Sequence, residues 1–451
     1  MKKAELLIRG GEVFLPGFQM PVRADIAVCC GKIAAVGTEP CEAERVLEVS
    51  GLYIAPGFID THMHDEEPED GSTVEQSLLR QGVTTAIAGN CGSGPLSQDI
   101  KPLRQRPWLN LGYLTGHTVL REKAGATDRY KPATGSQISQ MCRLLKNELE
   151  NEGSFGLSVG LEYMPNTPAE ELEPLFKTAQ PFEKVWVPVH IRSDGPQAVA
   201  SVDEIIGFAE RFPGLRFQLS HTGSMCAFGQ MKTVLEHISA AREKGLDLTF
   251  DCYPYDAFCT ALGSAVYDEG FEERWGRGRE SLEVGSGPFR GHFLDEPGLF
   301  DKLRKEAPET LVIAHVMQAS EVLECLAAPD CAVASDSILD HGAGHPRAAG
   351  TFPRALRLLR EKGLSWSEAL RKCTELPAQM AFLPTKGRIA VGADADFVIF
   401  DPSALTDRAT FAEQLTPPLG IEWVIIGGRE AVHKNELVGT PAGRLLSRAE
   451  I

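Results

Sequence analysis

Imidazole, thiol and carboxylate side chains follow several short apolar stretches of this sequence. They are His62, His64, Cys91, His190, His221 and Asp336. Taken singly, a histidine at such a point is most often a hydrogen-bonded structural residue, and a buried cysteine is usually an inert small hydrophobe. Taken together, imidazole and thiolate are metal ligands, and a carboxylate beside a metal can move protons. The set predicts metal-assisted hydrolysis if the fold brings these side chains to one place.

The spacing of the first two histidines supports that hypothesis. In "GFIDTHMHDEEPED" (57–70), His62 and His64 lie two positions apart, so on a strand they share one face. Imidazole suits zinc, copper, iron or nickel, and thiolate favours zinc among the metals without redox chemistry. The sequence has no Cys-x-x-Cys pair for a closed structural site, which indicates a catalytic zinc with an open position. The acidic residues Glu66 to Asp70 are interpreted as a solvated loop before the first helix, and Asp65 fits either role.

Asp336 has two interpretations from the residues alone. In "ASDS" it fits an ordinary turn or the N-cap of a helix. Beside a metal site, its carboxylate is able to take a proton from an attacking water and deliver it to a leaving nitrogen. The local sequence leaves both interpretations open.

Eight apolar stretches that end in polar residues are the elements that must position these side chains. In order they are "APGFIDTHMH", "VTTAIAGNCG", "LNLGYLTGH", "SFGLSVGLEY", "VWVPVHIRSD", "RFQLSHTG", "DLTFDCYPY" and "CAVASDS". Helical stretches lie between them, such as 139–152 and 231–244. This alternation predicts an α/β fold, a (β/α)8 TIM-type barrel with its active site at the carboxyl ends of the strands. Residues 262–310 are interpreted as an inserted active-site lid.

Both ends of the chain favour short strands over helices. Near the start, "CCGKIAAVG" predicts a hairpin around Gly31. Near the end, "GRIAVGADADFVIFDP" and "IEWVIIGGREAVHKNELVG" show the same near-alternating pattern. We therefore expect residues 1–55 and 385–451 to form one small β-sandwich domain, and residues 56–384 to form the barrel.

The composition restricts the partners of the protein. The 451 residues carry a formal net charge of −17, which disfavours nucleic acid and anionic membranes and suits a small-molecule substrate. No apolar run reaches the roughly 20 residues that span a bilayer, and the N-terminus lacks a signal-peptide pattern. The 11 cysteines show no framework spacing, which indicates reduced thiols and a cytoplasmic protein. The sequence leaves a homo-oligomeric state open.

Several longer motifs resemble those of one enzyme family. "GLYIAPGFIDTHMH" and "KGRIAVGADADFVIFDP" look like the two ends of amidohydrolase superfamily members. Six further stretches are similar to the N-acyl-D-amino-acid deacylases (D-aminoacylases): "GNCGSGPLS", "SFGLSVGLEYMPN", "VHIRSD", "QLSHTG", "DCYPYDAFCTAL" and "ASDSILDHGAGHPRAAGTFPRAL". They occur in the family's order and cover most of the chain. The cysteine of "GNCG", with "GLEY", "YPY" and "HPRAAGTFPR", is the most specific part.

This resemblance implies a zinc-dependent hydrolase on a barrel with a terminal β-sandwich. The implied ligands of a tightly bound Zn²⁺ are Cys91, His190 and His221. The cysteine takes the place of the carboxylated lysine of other amidohydrolases. His62 and His64 would line a second, weaker metal position, and Asp336 would be the general acid and base. Glu162 lies near the position of the lysine that bridges metals elsewhere, so a bridging or supporting role is expected for it.

The resemblance also implies how the substrate is held. Arg347 would bind the substrate carboxylate, since a guanidinium matches a carboxylate through two N–H groups. Further candidate substrate contacts are Tyr255, Tyr163, Thr260 and Arg192. The chain departs from the family pattern after His221, where Thr222 and Gly223 stand in place of the common histidine and lysine. This departure makes an acidic substrate such as N-acyl-D-glutamate a weaker expectation and leaves the side-chain preference open.

The predicted reaction is hydrolysis of an N-acyl-D-amino acid to a carboxylate and a D-amino acid, without action on the peptide bonds of proteins. Two alternatives keep the scaffold and change the substrate: a cyclic amide hydrolase of the dihydroorotase or hydantoinase kind, and a dipeptidase. Two others abandon catalysis: a barrel scaffold that binds partners, and a zinc-storage or structural-metal protein. Retention of the histidines, the cysteine and the aspartate disfavours the scaffold, and their wide scatter disfavours metal storage.

Overall fold

Strands and helices alternate through the centre of the chain in the computed structural model, as the sequence predicts. The structure describes residues 3–39, 41–64, 73–102 and 105–450. Each of the eight predicted strand stretches contains a strand. Residues Glu66 to Asp70, predicted to form a loop, lie outside the described residues, and so does Asp65, for which the sequence leaves both roles open.

The strands are numbered in chain order. Their bounds are β1 Ala4–Val13, β2 Val22–Cys29, β3 Lys32–Gly37, β4 Ala43–Glu48, β5 Tyr53–Pro56, β6 Phe58–Met63, β7 Val83–Ala88, β8 Asn110–Tyr113, β9 Thr115–Gly116, β10 Leu157–Gly160, β11 Trp186–His190, β12 Arg216–Leu219, β13 Leu248–Cys252, β14 Phe258–Ala261, β15 Leu282–Val284, β16 Leu311–Ala314, β17 Cys331–Val333, β18 Leu339–Asp340, β19 Ala343–Gly344, β20 Phe397–Phe400, β21 Ile421–Ile426, β22 Arg429–His433 and β23 Glu436–Leu437.

The helices are numbered in the same way. Their bounds are α1 Thr73–Arg80, α2 Ser97–Ile100, α3 His117–Lys123, α4 Gly135–Asn147, α5 Ala169–Ala179, α6 Ala198–Arg211, α7 Thr222–Cys226, α8 Met231–Glu243, α9 Phe271–Trp275, α10 Leu299–Glu306, α11 Ala319–Ala327, α12 Arg347–Glu361, α13 Trp366–Cys373 and α14 Glu375–Met380. Among the described residues, no helix is both long and apolar enough to cross a membrane.

Two parallel sheets form the centre of the molecule. One has the order β6-β7-β8, and the other has the order β9-β10-β11-β12-β13-β17. Strands such as β6, β7 and β11 are buried along their whole length, which is typical of parallel sheets covered by helices. Because parallel strands run in one direction, their carboxyl ends, with the polar residues of the sequence pattern, lie at the same edge.

Backbone hydrogen bonds join the two sheets at both sides. At one side, the N–H of Leu114 donates to the carbonyl of Ala88 over 3.0 Å, just before β9 begins. At the other side, the N–H of Asp336 donates to the carbonyl of His62 over 2.7 Å, and that of His64 donates to Ser337 over 2.8 Å. The strand ends of both sheets therefore belong to one continuous surface.

Strands from both ends of the chain pair in a single further sheet. Its order is β23-β22-β21-β20-β5-β1-β2-β3, with β4 paired to β1. The predicted hairpin is confirmed: β2 and β3 pair antiparallel around Cys30 and Gly31, which have φ of 52° and 71°. Positive φ at both turn positions is the geometry of a two-residue hairpin turn, and glycine accommodates it without strain. A separate apolar core that includes Leu6, Ile26 and Phe397 lies under this sheet.

The predicted insertion, residues 262–310, lies between two strands of a small sheet, β14 and β16, and contains the third strand, β15. β14, β15 and β16 pair antiparallel in the order β14-β16-β15. The stretch "TLVIAHVM" (310–317), at the end of the insertion, contains β16, so this sheet extends from Phe258 to Ala314 at its outermost strands. The short helix α9 lies within the insertion and contributes side chains to the candidate site.

A buried ion pair links the terminal sheet to the parallel strands. Lys386 Nζ lies 2.6 Å from Asp396 and 3.0 Å from Asp394, and the Lys386 side chain is 5% exposed. The same Asp396 oxygen accepts a hydrogen bond from Asn110, at the start of β8, over 3.1 Å. We predict that Lys386→Met lowers the free energy of unfolding by about 3–5 kcal/mol, because it leaves a buried carboxylate unpaired. Urea unfolding measures this.

The matched control removes an exposed ion pair of the same sheet. Arg9 and Glu48 lie 2.8 Å apart with both side chains largely in solvent, so Arg9→Met should cost about 0–1 kcal/mol. Equal losses in the two variants would contradict a stabilising role for the buried pair.

Candidate active site

Four of the residues singled out in the sequence meet in one buried cluster. The nitrogen, sulfur and oxygen atoms of His62, Cys91, His221 and Asp336 that are able to bind a metal all lie within 4.8 Å of one another. His62 belongs to β6, and the other three follow the ends of β7, β12 and β17. The parallel arrangement of the strands is what brings these distant positions of the chain together.

Three of these residues have an unusual backbone. Cys91, His221 and Asp336 have φ of 53°, 35° and 51°, in the left-handed region that non-glycine residues rarely adopt. Such conformations cost free energy and persist only where surrounding contacts hold them, which is common at functional sites. Each of these three residues lies just after the end of a strand, where the backbone turns and directs the side chain towards the cluster.

Cys91 is in contact with two imidazoles. Its sulfur lies 3.3 Å from Nε2 of His62 and 3.4 Å from Nε2 of His221. Burial favours the neutral thiol, but the positive charge of the two histidines outweighs it and holds the pKa of Cys91 well below its usual range. Conversely, burial opposes protonation of His62, while Cys91 and Asp336 raise its pKa well above the usual range. A thiolate among imidazoles is a donor set that suits zinc.

Asp336 contacts both the histidines and an arginine. Its Oδ1 lies 3.3 Å from Nε2 of His62 and 3.2 Å from Nε2 of His64, while Oδ2 lies 2.9 Å from Nη1 of Arg347. Burial raises the pKa of Asp336, but Arg347 and His62 outweigh burial and hold it well below the usual range. The carboxylate is therefore ionised at neutral pH and able to accept a proton.

His190 lies beside the cluster, next to Glu162. Its ring centre is 4.5 Å from that of His221, and its Nε2 lies 2.8 Å from Oε2 of Glu162. Burial lowers the pKa of His190, but Cys91 and Glu162 outweigh it and raise the pKa to about 9. Its Nδ1 is buried and makes no hydrogen bond within the described part of the chain. An unpartnered buried nitrogen beside a thiolate fits a metal ligand, so the residues present suit a zinc ion.

Asp251 supports the cluster and was missed in the sequence. Its carboxylate accepts a hydrogen bond from the backbone N–H of His221 and another from Gln218, and it lies 3.5 Å from Nδ1 of His62. Ser224 adds a contact of 2.9 Å to Nδ1 of His221. Such partners orient histidine ligands and select their tautomer. The available signal was an acidic residue inside the apolar strand "DLTFDC".

The insertion contributes an arginine and a tryptophan to the site. Arg274, on α9, lies 3.1 Å from Glu162 and 2.6 Å from Asp194, and the indole N–H of Trp275 donates to Asp194 over 2.6 Å. Burial and the nearby Glu162 raise the pKa of Asp194 to about 7. The insertion thus packs against the carboxylate that holds His190. Nothing in its sequence beyond its length pointed to these two residues.

A cavity of about 430 Å³ opens next to the cluster. Its walls include His64, Cys91, Asp336 and Arg347, together with the predicted substrate contacts Tyr163 and Thr260. The Thr260 hydroxyl donates to the phenol oxygen of Tyr163 over 3.4 Å. These two side chains therefore line the cavity next to each other.

The other two predicted substrate contacts lie away from this cavity. The hydroxyl of Tyr255 donates to the carbonyl of Pro346 over 3.3 Å, and the Arg354 guanidinium stacks on its ring at 4.6 Å. Arg192 is paired with Glu204 at 2.7 Å. Tyr255 instead packs at the start of α12, the helix on which Arg347 is the first residue.

Comparisons with known proteins identify relatives that cover nearly the whole chain. The amidohydrolase family model matches residues 206–432. The N-acyl-D-glutamate deacylase of Alcaligenes xylosoxydans xylosoxydans is 33% identical over 490 aligned positions, covering 99% of this chain and 97% of the relative. The D-aminoacylase of the same organism is 30% identical and covers 98% of each chain.

A solved structure with a similar fold contains a ligand. It is the N-acyl-D-glutamate deacylase of Bordetella bronchiseptica in complex with zinc and a phosphonate inhibitor that mimics the tetrahedral intermediate of its reaction. The TM-score is 0.88 at 29% sequence identity, covering 99% of this chain and 100% of that chain. The whole chain, including both terminal regions, thus takes part in the similarity.

The position of Asp251 generates a prediction about metal affinity. Asp251→Asn should weaken zinc binding roughly 10- to 100-fold, because the neutral amide no longer orients His62 and the His221 backbone as a carboxylate does. Competition with a chromophoric chelator measures the affinity. Asp247→Asn, the same change on an exposed side chain of the preceding loop, is the control. Equal zinc affinities in the two variants would show that Asp251 does not support the ligands.

Proposed function

Because the chain belongs to the amidohydrolase family, among the N-acyl-D-amino-acid deacylases, we propose that it removes the acyl group from N-acyl-D-amino acids in a zinc-dependent hydrolysis. The observation that carries this proposal is the Cys91 thiolate between two histidines, beside an ionised Asp336 at the wall of an open cavity. The relatives named above act on substrates of this class. The products are a carboxylate and a D-amino acid.

The metal ligands are part of the proposal. We assign the tightly held Zn²⁺ to Cys91, His190 and His221, and a second, weaker position to His62 and His64. The low pKa of the thiol and the unpartnered Nδ1 of His190 support the first assignment. A bound Zn²⁺ supplies a Lewis acid that polarises the scissile carbonyl and lowers the pKa of water. We assign Glu162 the role of holding His190, on the basis of their 2.8 Å contact.

Asp336 performs the proton transfers in this mechanism. Its Oδ2 is engaged by Arg347, so Oδ1 is the atom that takes the proton from the attacking water. The same atom then returns the proton to the nitrogen of the departing amine. The low pKa of Asp336 keeps it in the basic form before the substrate reacts.

Arg347 also has the donors to orient the substrate. It is buried, its Nη2 donates to the carbonyl of Cys259 over 3.1 Å, and its Nε makes no hydrogen bond within the described residues. A substrate carboxylate at this guanidinium would place the amide beside Asp336, and such positioning lowers the barrier. Tyr163 and Thr260 complete the wall around that position.

We also propose the finer architecture that surrounds the site. The two parallel sheets close into a (β/α)8 barrel, which the hydrogen bonds at both of their sides support. Residues 1–55 and 385–451 form a β-sandwich domain beside the barrel domain 56–384, supported by the pairing of β5 with β20. A cytoplasmic location stays a prediction of the sequence.

The first test is a substrate panel with zinc-loaded protein. N-acetyl-D-amino acids should release free amine faster than their L-enantiomers and faster than cyclic ureides are opened. Chelation should abolish the release, and added zinc should restore it. Preferential opening of cyclic ureides, or binding of substrates without any turnover, would contradict the proposal.

The second test removes the proton acceptor. Asp336→Asn should lower kcat roughly 10²- to 10⁴-fold, because an amide cannot accept the proton, while the tightly bound zinc stays in place. Steady-state kinetics and metal analysis of the same preparation measure the two effects. Asp340→Asn, four positions along the chain, is the control and should keep full activity. An Asp336→Asn variant with normal kcat would exclude this mechanism.

A further inference from the structure

We propose that Arg129 forms a second anion-binding position in the active-site cavity, and that the preferred substrate therefore carries a second carboxylate. The inference rests on the proposed function, and it names the substrate class within that function. It assigns a binding role to a residue outside every motif used above.

The cavity has a deep end and an outer end. Cys91, Asp336 and Arg347 at the deep end are all buried. The outer end includes Arg129, which is half-buried, and Glu309, which is exposed. Arg129 and Asp336 therefore line one cavity, with Arg129 on its more exposed wall.

The two arginines of the cavity differ in their partners. Arg347 is paired with Asp336, as described above. Within the described part of the chain, no carboxylate lies within 4.0 Å of the Arg129 guanidinium, whose Nη1 donates to the carbonyl of Gly263 over 3.1 Å. A guanidinium carries five N–H donors, so most of those of Arg129 are left for a ligand. Half-buried in a cavity wall, this cation suits a carboxylate that binds through two oxygens.

A buried charge network holds the segment that carries Arg129. Nη2 of Arg121 donates to the carbonyls of Asp128 and Lys131, at 2.9 and 2.8 Å, on either side of Arg129. Arg121 is itself paired with the buried carboxylate of Glu171, which also lies 3.0 Å from His117. The backbone around Arg129 is thus fixed by groups that do not face the cavity, and a preorganised donor loses less entropy on binding.

The nearby acidic residue of the insertion is already neutralised. Asp268 accepts a hydrogen bond from the hydroxyl of Tyr130 over 2.7 Å and is paired with Arg304. It is therefore engaged elsewhere, although it lies next to the segment of Arg129. Glu309, which also lines the cavity, should oppose an anion and serves as an internal control.

The second carboxylate has two chemical sources. It belongs either to the amino-acid side chain, as in N-acetyl-D-glutamate, or to the acyl group, as in N-succinyl-D-leucine. Each has a neutral partner of nearly equal shape, N-acetyl-D-glutamine and the monoamide of the succinyl compound. Comparison within each pair isolates the charge, and comparison between pairs identifies its source.

The experiment measures kcat/KM for both pairs with zinc-loaded protein. In at least one pair the charged member should be preferred roughly 10- to 100-fold, the usual effect of a hydrogen bond to a charged group. Arg129→Gln should bring that ratio close to one through a higher KM, Arg129→Lys should restore part of it, and Glu309→Gln should increase it. Arg277→Gln, which alters an exposed arginine of the insertion, should leave the ratio as in the unaltered protein.

Equal rates within both pairs, or a preference that survives Arg129→Gln, would overturn the inference. Its failure can be separated from failure of the proposed function, because slow turnover of neutral N-acetyl-D-amino acids would still support the function. If no compound is hydrolysed, calorimetric affinities of N-acetyl-D-glutamate and N-acetyl-D-glutamine decide the question. Tighter binding of the glutamate that is lost in Arg129→Gln supports the anion site, and equal binding excludes it.

Discussion

The ion pair between Asp336 and Arg347 is the interaction on which the rest of the site depends. Both side chains are buried and lie 2.9 Å apart. A buried carboxylate without a cation would take up a proton and lose its capacity as a base. The guanidinium prevents this, and it leaves the second carboxylate oxygen facing His62 and His64. It also ties the end of β17 to the first residue of α12, so that strand and helix position the site together.

The buried charges of the site are balanced in pairs. Cys91 is balanced by imidazoles, and Glu162 and Asp194 share the guanidinium of Arg274 from the insertion. Removing one partner of such a pair leaves an uncompensated charge, which is far more costly than the pair itself. The left-handed backbone at Cys91 and Asp336 adds strain to the same region. These costs are tolerated because each conformation aims a side chain at the common centre.

Most of the central fold could be predicted because its signals are local. Apolar stretches with polar ends marked all eight strands, and Gly31 marked a hairpin that the structure contains. The donor types of His62, Cys91 and His221 were equally visible. The supporting residues were not, because their partners are remote: Trp275 reaches Asp194 across 81 positions of the chain, and Asp251 resembles any acidic residue in a strand. Tyr255, by contrast, was predicted to contact the substrate, but it does not line the cavity and its hydroxyl donates to the carbonyl of Pro346.

By itself the sequence determined the chemical types of the site and the order of the elements that carry them. Periodicity and ligand chemistry are properties of neighbouring residues and can be read along the chain. Only the tertiary structure decided which atoms meet: Nε2 of His190 at Glu162, Oδ1 of Asp336 at two histidines, and Arg129 at the cavity without a carboxylate partner among the described residues. These directions depend on contacts between segments far apart in the chain, and no local pattern encodes them.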